Sequence, residues 1–397
     1  MKDILKFLDL DGTVKLCQEL VRIPSPEGKE KDVALFIADY LKKIGLDEVQ
    51  LVEAEKDRPN VVARYKGTGG GPSLLFYGHI DSESPGVPEQ WTVDPYGGII
   101  KDGKVWGRAS KDMRAGISGF IKTAEAIIKR GQRPKGNLVL AFCVDEEVAG
   151  PNGIGFVLKK GYVKADAALY GETYRLGDIM RADSGVLWIR ITSKGIPAHC
   201  QLKTAEKKSI NAVEKMAKVI LKLDRLKLEY KEHSLFHGMG PGITVGTTIQ
   251  TKENQLINAV PDRCMATFDV RLLPGMDTDE VFNTISKAVA EIEKEDPDAK
   301  FIVEEVFRRG PSETPADHPI IGIVSRNFEK LTGQKARVVG HEMTSDEYFL
   351  RNAGIMGIHF GPGNWSGHKP DEHIDIEQIH TVAKVYALSA HDYLFGK

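Results

Sequence analysis

The chain reads as an α/β protein whose mostly parallel sheet carries helices on both faces, with a ferredoxin-like βαββαβ domain inserted into it. Three observations predict this. Apolar strand-like runs alternate with amphipathic helical stretches over residues 1–181. After about Asp183 the order changes to βαββαβ, and the first pattern resumes near Gly310. At 397 residues the chain exceeds the roughly 250–300 at which one core stops growing, so two domains are expected. Their bounds are 1–181 with 310–397, and 182–309.

In order, Lys29–Ile44 is an amphipathic helix, apolar at Val33, Phe36, Ile37, Tyr40, Leu41 and Ile44, with Gly45 as its stop. Strands follow at Asn60–Tyr65 and Ser73–Tyr77, then a helix over Gly116–Arg130, then strands Asn137–Val144 and Ala167–Tyr170. The inserted segment offers strand Gly185–Ser193, helix Lys208–Leu223, strands Gly242–Gln250 and Arg263–Leu272, helix Thr278–Glu293 and strand Lys300–Val306. Helix Ile320–Leu331, a short strand Ala336–Val339, strand Ile355–Phe360 and helix Ile376–Leu394 complete the first domain.

A net charge of −2 and the lack of any Lys/Arg block leave no footprint for nucleic acid, so the expected partner is a small molecule. No apolar run approaches the ~18–20 residues of a membrane span, and Met1–Lys6 mixes both charge signs, which predicts a soluble, cytoplasmic protein. The four cysteines, Cys17, Cys143, Cys200 and Cys264, form no CxxC pair and read as small buried apolar residues. Gly67–Gly71 reads as a turn, since no Lys-Ser/Thr follows it and a strand comes next.

Chemistry gathers at predicted strand ends, where open α/β sheets place their ligand sites. His79-Ile80-Asp81 ends the run Leu74–Gly78, and the Asp81 carboxylate can fix the imidazole tautomer while the other ring nitrogen takes a metal. Asp112 lies in a polar loop feeding a helix, where alone it is an N-cap or first-turn acid. Asp145-Glu146-Glu147 follows Leu138–Val144, an unfavourable place for three adjacent charges unless a cation neutralises them; alone it is a solvated loop. One of these glutamates can bind metal while the other stands off as a general base. Glu172 follows Ala167–Tyr170, and His368 sits beyond the glycine-rich Gly361–Gly367; singly, neither carries weight. Jointly they supply two histidines and four carboxylates without a thiolate, which suits Zn²⁺, with Co²⁺ or Mn²⁺ as alternatives, and a carboxylate can bridge two ions ~3.5–4 Å apart.

Gly78-His79-Ile80-Asp81, Gly107–Gly116 with Asp112-Met113, Asp145-Glu146-Glu147, Gly171-Glu172, and Gly361-Pro362-Gly363 with His368 resemble, in order, the zinc amidohydrolase family of acetylornithine deacetylase, succinyl-diaminopimelate desuccinylase, aminoacylase and glutamate carboxypeptidase. Trp91–Tyr96 and Asn258-Ala259-Val260-Pro261 are similar to its pattern as well. The resemblance implies a zinc-exopeptidase-like catalytic domain and a lid and dimerisation role for the inserted one. It implies that Asp112 bridges two Zn²⁺ ions, that His79 and Glu172 complete one site, and that Glu147 and His368 complete the other. Glu146 would be the general base for a metal-bridging water that attacks an amide beside a free carboxylate, with Asp81 orienting His79. His199 matches the family histidine that reaches a partner subunit's active site and helps stabilise the oxyanion, so a homodimer is implied. Arg271 matches an arginine placed near the substrate carboxylate, its alternative being an exposed arginine paired with Asp269; Asn258 matches a polar residue near substrate, its alternative being a turn cap.

Two departures bear on substrate. No proline follows Glu172, and Cys200-Gln201 stands after His199 where small hydroxyl residues are common. The implied activity is deacylation of N-acyl amino acids, of the acetylornithine deacetylase or succinyl-diaminopimelate desuccinylase type, or else cleavage of short peptides as a dipeptidase or carboxypeptidase. A non-catalytic metal- or peptide-binding protein would have no need of Glu146. Thiol catalysis at Cys143 or His199-Cys200 ranks low, because adjacent side chains diverge and no Gly-x-Ser-x-Gly elbow occurs.

Overall fold

A computed structural model describes residues 3–201 and 209–396. These residues form two compact units: the chain up to Arg181 with Glu313–Val339 and the chain from Ser345 onward, and Ala182–Ser312 with Gly340–Thr344.

The first unit is built on four mutually parallel strands, in the order Leu138–Cys143, Leu74–His79, Ala167–Tyr170 and Met356–His359. Pro59–Tyr65 and Glu48–Glu53 extend the sheet antiparallel on one side, and Asp178–Asp183 pairs antiparallel on the other. Every residue of Leu74–His79, Leu138–Cys143 and Ala167–Tyr170 is buried. That is why these strands read as unbroken apolar runs: a parallel sheet is covered on both faces. Helix Ala115–Lys129 is buried along most of its length, with Phe120 stacked on Phe76 at a centroid distance of 4.4 Å and Tyr386 of helix Ile376–Phe395 closing the cluster.

The second unit is a four-stranded antiparallel sheet in the order Gly242–Thr251, Arg263–Leu272, Gly185–Lys194, Lys300–Arg309. Helices Ala212–Asp224 and Thr278–Glu295 share a core with it, including Ile189, Ile191, Val219, Phe268, Val270 and Ile285. Each helix begins at a side-chain cap: Asn211 accepts from the Val213 and Glu214 amides, and Asp277 from those of Asp279 and Glu280. Lys208, the expected start of the first of these helices, lies outside the described residues.

Several elements go beyond the sequence reading. Helix Leu10–Val21 is capped by Asp9, and the strands Ile99–Lys101 and Lys104–Trp106 form a hairpin joined by His373–Asp375. Asp102 and Gly103 turn this hairpin with φ of 51° and 71°, the left-handed pair a two-residue turn requires. Cys17, Cys143 and Cys264 are buried, but Cys200 is exposed, because it follows the short strand Ala198–His199 at the surface of the second unit. Among the described residues no helix is long and apolar enough to cross a membrane.

Candidate metal centre

Parallel strands put all their carboxyl ends at one edge, and the candidate ligands follow those ends. His79 closes its strand level with Cys143, so the Asp145-Glu146-Glu147 turn emerges beside it. Glu172 comes two residues after Tyr170, which is level with both Tyr77 and His359, and the loop to His368 leaves from Met356–His359. Asp145 and His368 hold φ values of 70° and 63°, so both turns are bent through the left-handed region near the cluster. Asp112 arrives from a turn that precedes helix Ala115–Lys129 and contains a cis Asp112–Met113 peptide bond.

Buried polar residues that the sequence reading did not single out pin these segments. Glu372 accepts from the Lys111 amide at 3.0 Å and the Asp112 amide at 3.1 Å, and pairs with Arg108 at 2.7 Å. Arg114 is fully buried; its guanidinium donates to the Ile80 carbonyl at 2.7 Å and also to Ser25, fixing the backbone after His79. Tyr77 donates to Asp346 beneath the cluster. The available sequence signals were faint: an arginine two residues past Asp112 and an acid four residues past His368.

The structure brings His79, Asp81, Asp112, Glu147, Glu172 and His368 together. Asp112 meets His79 Nε2 with Oδ1 at 3.0 Å and His368 Nε2 with Oδ2 at 3.3 Å; His368 Nε2 also lies 3.1 Å from Glu147 Oε2. Asp81 faces His79 Nδ1 at 3.5 Å and accepts from the Glu147 amide at 2.9 Å, so one carboxylate orients two neighbours. Glu172 joins through the ammonium of Lys111, 3.5 Å from its Oε2 and 3.3 Å from Asp112 Oδ2. Ligand atoms of His79, Asp112 and Glu147 all lie within 4.8 Å of one another, as do those of Glu83, Glu147 and His368. Glu83 is a further acid that sequence did not mark.

The electrostatics describe excess negative charge. Burial, and then the Asp112 carboxylate, push Glu172 up to about 8 and also raise Glu147. Glu146 is pushed well above the usual carboxylate range by burial; His79 opposes this, and Asp346, Glu172 and Glu147 add to it. Burial works against the charged ring of His79, but Asp112 and Asp81 outweigh it and hold the imidazole well above its ordinary pKa. Hydrogen bonds to Asp112 and Glu147 push His368 up to about 11. Burial alone would raise Asp112, yet Lys111, His368 and His79 hold it well below the carboxylate range. A divalent cation would relieve every raised carboxyl at once. Two imidazoles and partly buried carboxylates without a thiolate are a donor set that fits ions such as Zn²⁺, Co²⁺ or Mn²⁺.

In the second unit, His199 lies on Ala198–His199, paired with Ala259–Val260, and Asn258 Nδ2 approaches its Nε2 at 3.3 Å. Arg271 makes a two-point contact with Asp269, at 2.6 Å and 3.0 Å, and Trp188 donates to the same carboxylate.

A parallel α/β sheet with carboxylates and imidazoles converging at its carboxyl edge, joined to a ferredoxin-like unit, defines a metallohydrolase class. Residues 75–392 match peptidase family M20/M25/M40, and the chain belongs to that family. It is accordingly a hydrolase of amide or peptide bonds. It is 29% identical over 398 residues to succinyl-diaminopimelate desuccinylase of Cereibacter sphaeroides, covering 96% of this chain and 98% of that protein. Its fold is similar to that of aminopeptidase PepT from Bacillus cereus, with a TM-score of 0.76 at 18% identity, over 96% of this chain and 98% of that one. A Bacillus subtilis M20 peptidase described as binding a dinuclear metal has a TM-score of 0.73 at 16% identity, over 97% and 98% of the two chains.

Proposed function

We propose that the protein is a dinuclear metal-dependent deacylase of N-acyl amino acids, of the desuccinylase or deacetylase type. The observation that carries this is the meeting of His79 and His368 on the two oxygens of one carboxylate, Asp112, with Glu147 against His368 and with Glu146 next in sequence to Glu147 and in neither ligand group. The desuccinylase of Cereibacter sphaeroides supports the choice of acyl substrate. His79, Asp112 and Glu172 on one side, and Asp112, Glu147 and His368 on the other, would hold the two ions, Zn²⁺ first among them. When bound, the ions supply Lewis acidity and a water acidic enough to attack at neutral pH.

The chain's own residues do the rest. Glu146 takes the proton of the attacking water and passes it to the leaving nitrogen, a role suited to a carboxyl whose pKa is raised by burial. Asp81 fixes the His79 ring and the Glu147 backbone together. His199, beside Asn258, donates to the oxyanion of a partner subunit's substrate, which makes the working form a homodimer. Arg271 binds the substrate carboxylate after exchanging its internal partner Asp269.

The test is a hydrolysis panel of N-succinyl and N-acetyl amino acids against dipeptides, run on metal-reconstituted and chelated protein. N-acyl amino acids are expected to be cleaved in the presence of Zn²⁺ or Co²⁺ and not after chelation; preference for dipeptides would assign the protein to the exopeptidases. Glu146→Ala should lower turnover by about 10²–10⁴ with metal content unchanged. Hydrolysis retained in that variant would remove Glu146 as the base.

A further inference from the structure

Lys111 places a positive charge inside the candidate metal centre. Its side chain is 3% exposed, and its Nζ lies 3.3 Å from Asp112 Oδ2 and 3.5 Å from Glu172 Oε2. Its backbone is held by the same Glu372 oxygen that holds the Asp112 amide, so the lysine and the carboxylate beside it share one anchor. The loop carrying His368 passes over the lysine at Gly367, where a Cβ would lie 3.2 Å from Lys111 Cδ and 3.7 Å from Nζ. On its far side the ammonium faces the ring of Tyr174, 5.2 Å from its centroid, and Tyr174 stacks on Trp365. The lysine is therefore packed into place against the two acids and is not a surface side chain folded inward.

An ammonium and a divalent ion drawn to the same carboxylates repel each other, most strongly where water is excluded. The two sides meet this rival unequally: the lysine contacts both Glu172 and the shared Asp112 Oδ2, which His368 also meets, but among the ion pairs of the described residues it reaches neither Glu147 nor His368, the ligands particular to the other side. We propose that Lys111 is a displaceable resident cation of the centre, so that the site using Glu172 fills after the site using Glu147 and His368, and at least about 100-fold more weakly. This rests on the reading of these side chains as metal ligands. Displacement does not strip the ammonium of every partner, because its present cation–π contact with the Tyr174 ring can persist once the carboxylates are claimed. The second ion, and whatever step depends on it, then follows metal supply while the first stays bound.

The experiment is calorimetric titration of Co²⁺ into the metal-free full-length protein, wild type against Lys111→Met and Lys111→Gln, with circular dichroism confirming the fold of each. Wild type is expected to bind in two unequal steps, and both variants to tighten the weak step at least tenfold while the strong step moves by less than about threefold. One ion in wild type and two in the variants at the same Co²⁺ concentration would support the proposal equally. Two equal sites in wild type would overturn it without recourse to the variants, as would a weak step that neither substitution moves. No Co²⁺ binding by any of the three proteins would instead remove the metal-centre reading itself.

Discussion

Glu172 is where charge and stability are most directly linked. Its carboxyl is raised from 4.5 to about 8, first by burial and then by the Asp112 carboxylate. A group whose folded pKa lies above its unfolded value gives stability that is full below the unfolded pKa and is lost as pH rises through the folded one. For Glu172 that window runs from about 4.5 to about 8. His368, raised from 6.5 to about 11, loses its share between those values and so adds to the fall over the upper part of that window in both proteins, whereas Asp112, lowered, loses its share only on the acid side of it. Metal-free protein should therefore melt at progressively lower temperature between pH 5 and 9. In Glu172→Gln the fall should be smaller by about 2–4 °C, the equivalent of ~1 kcal/mol in a domain of this size. Scanning calorimetry in the presence of chelator measures it, and parallel slopes for the two proteins would contradict the assignment. At this scale the side chains that meet at the candidate centre were legible, because carboxylates crowded directly after apolar strands repel one another at a cost that a bound cation would remove. Lys111, Glu372 and Arg114 were not, since buried polar contacts to residues distant in sequence, Glu172, Arg108 and the Ile80 carbonyl, leave no periodicity to read.

Among the elements, three glycines decide where Glu172 stands. A Cβ on Gly116, in the first turn of helix Ala115–Lys129, would lie 2.0 Å from the Gly171 carbonyl oxygen. One on Gly361 would lie 2.4 Å from the same oxygen and 2.5 Å from the Glu172 Cα, and one on Gly171 would meet Phe120 at 2.6 Å. The turn bearing Glu172 is thus wedged between a helix start and the loop leading to His368, and only bare backbone fits. Gly116→Ala should cost roughly 1–3 kcal/mol, as overpacking does, and weaken metal binding by moving Glu172 off Asp112. Gly242→Ala, on the second unit, meets nothing within 4 Å and serves as the control. Denaturant unfolding with metal analysis reads both effects; a Gly116→Ala protein as stable and as metal-rich as the control would refute the wedge. Sequence displayed these glycines inside motifs but not their purpose, because the contact joins segments far apart in the chain. The hairpin at Asp102-Gly103 is a different kind of miss: its turn signal is local, but three-residue strands are too short for alternation to register.

Across the whole molecule, the insertion was legible because the order of elements changes and the ligands lie on either side of it. Each unit carries its own core, one around Phe76, Phe120 and Tyr386 and the other around Ile191, Phe268 and Ile285. The proposed ligands all belong to the first unit, so an ion held by them should stabilise that unit's folded state directly. At a free ion concentration about 100 times Kd the gain is about 2.7 kcal/mol, which corresponds to roughly 5–10 °C in a domain of a few hundred residues. Calorimetric unfolding should accordingly show two transitions, of which added Zn²⁺ raises one. Phe268→Ala, which empties the second core, should lower the other by about 3–5 kcal/mol and leave the metal-sensitive transition where it was. A single transition that answers to both the ion and Phe268→Ala would mean that the two units unfold as one cooperative body, and that metal binding stabilises the ferredoxin-like unit as strongly as the sheet that holds the ligands.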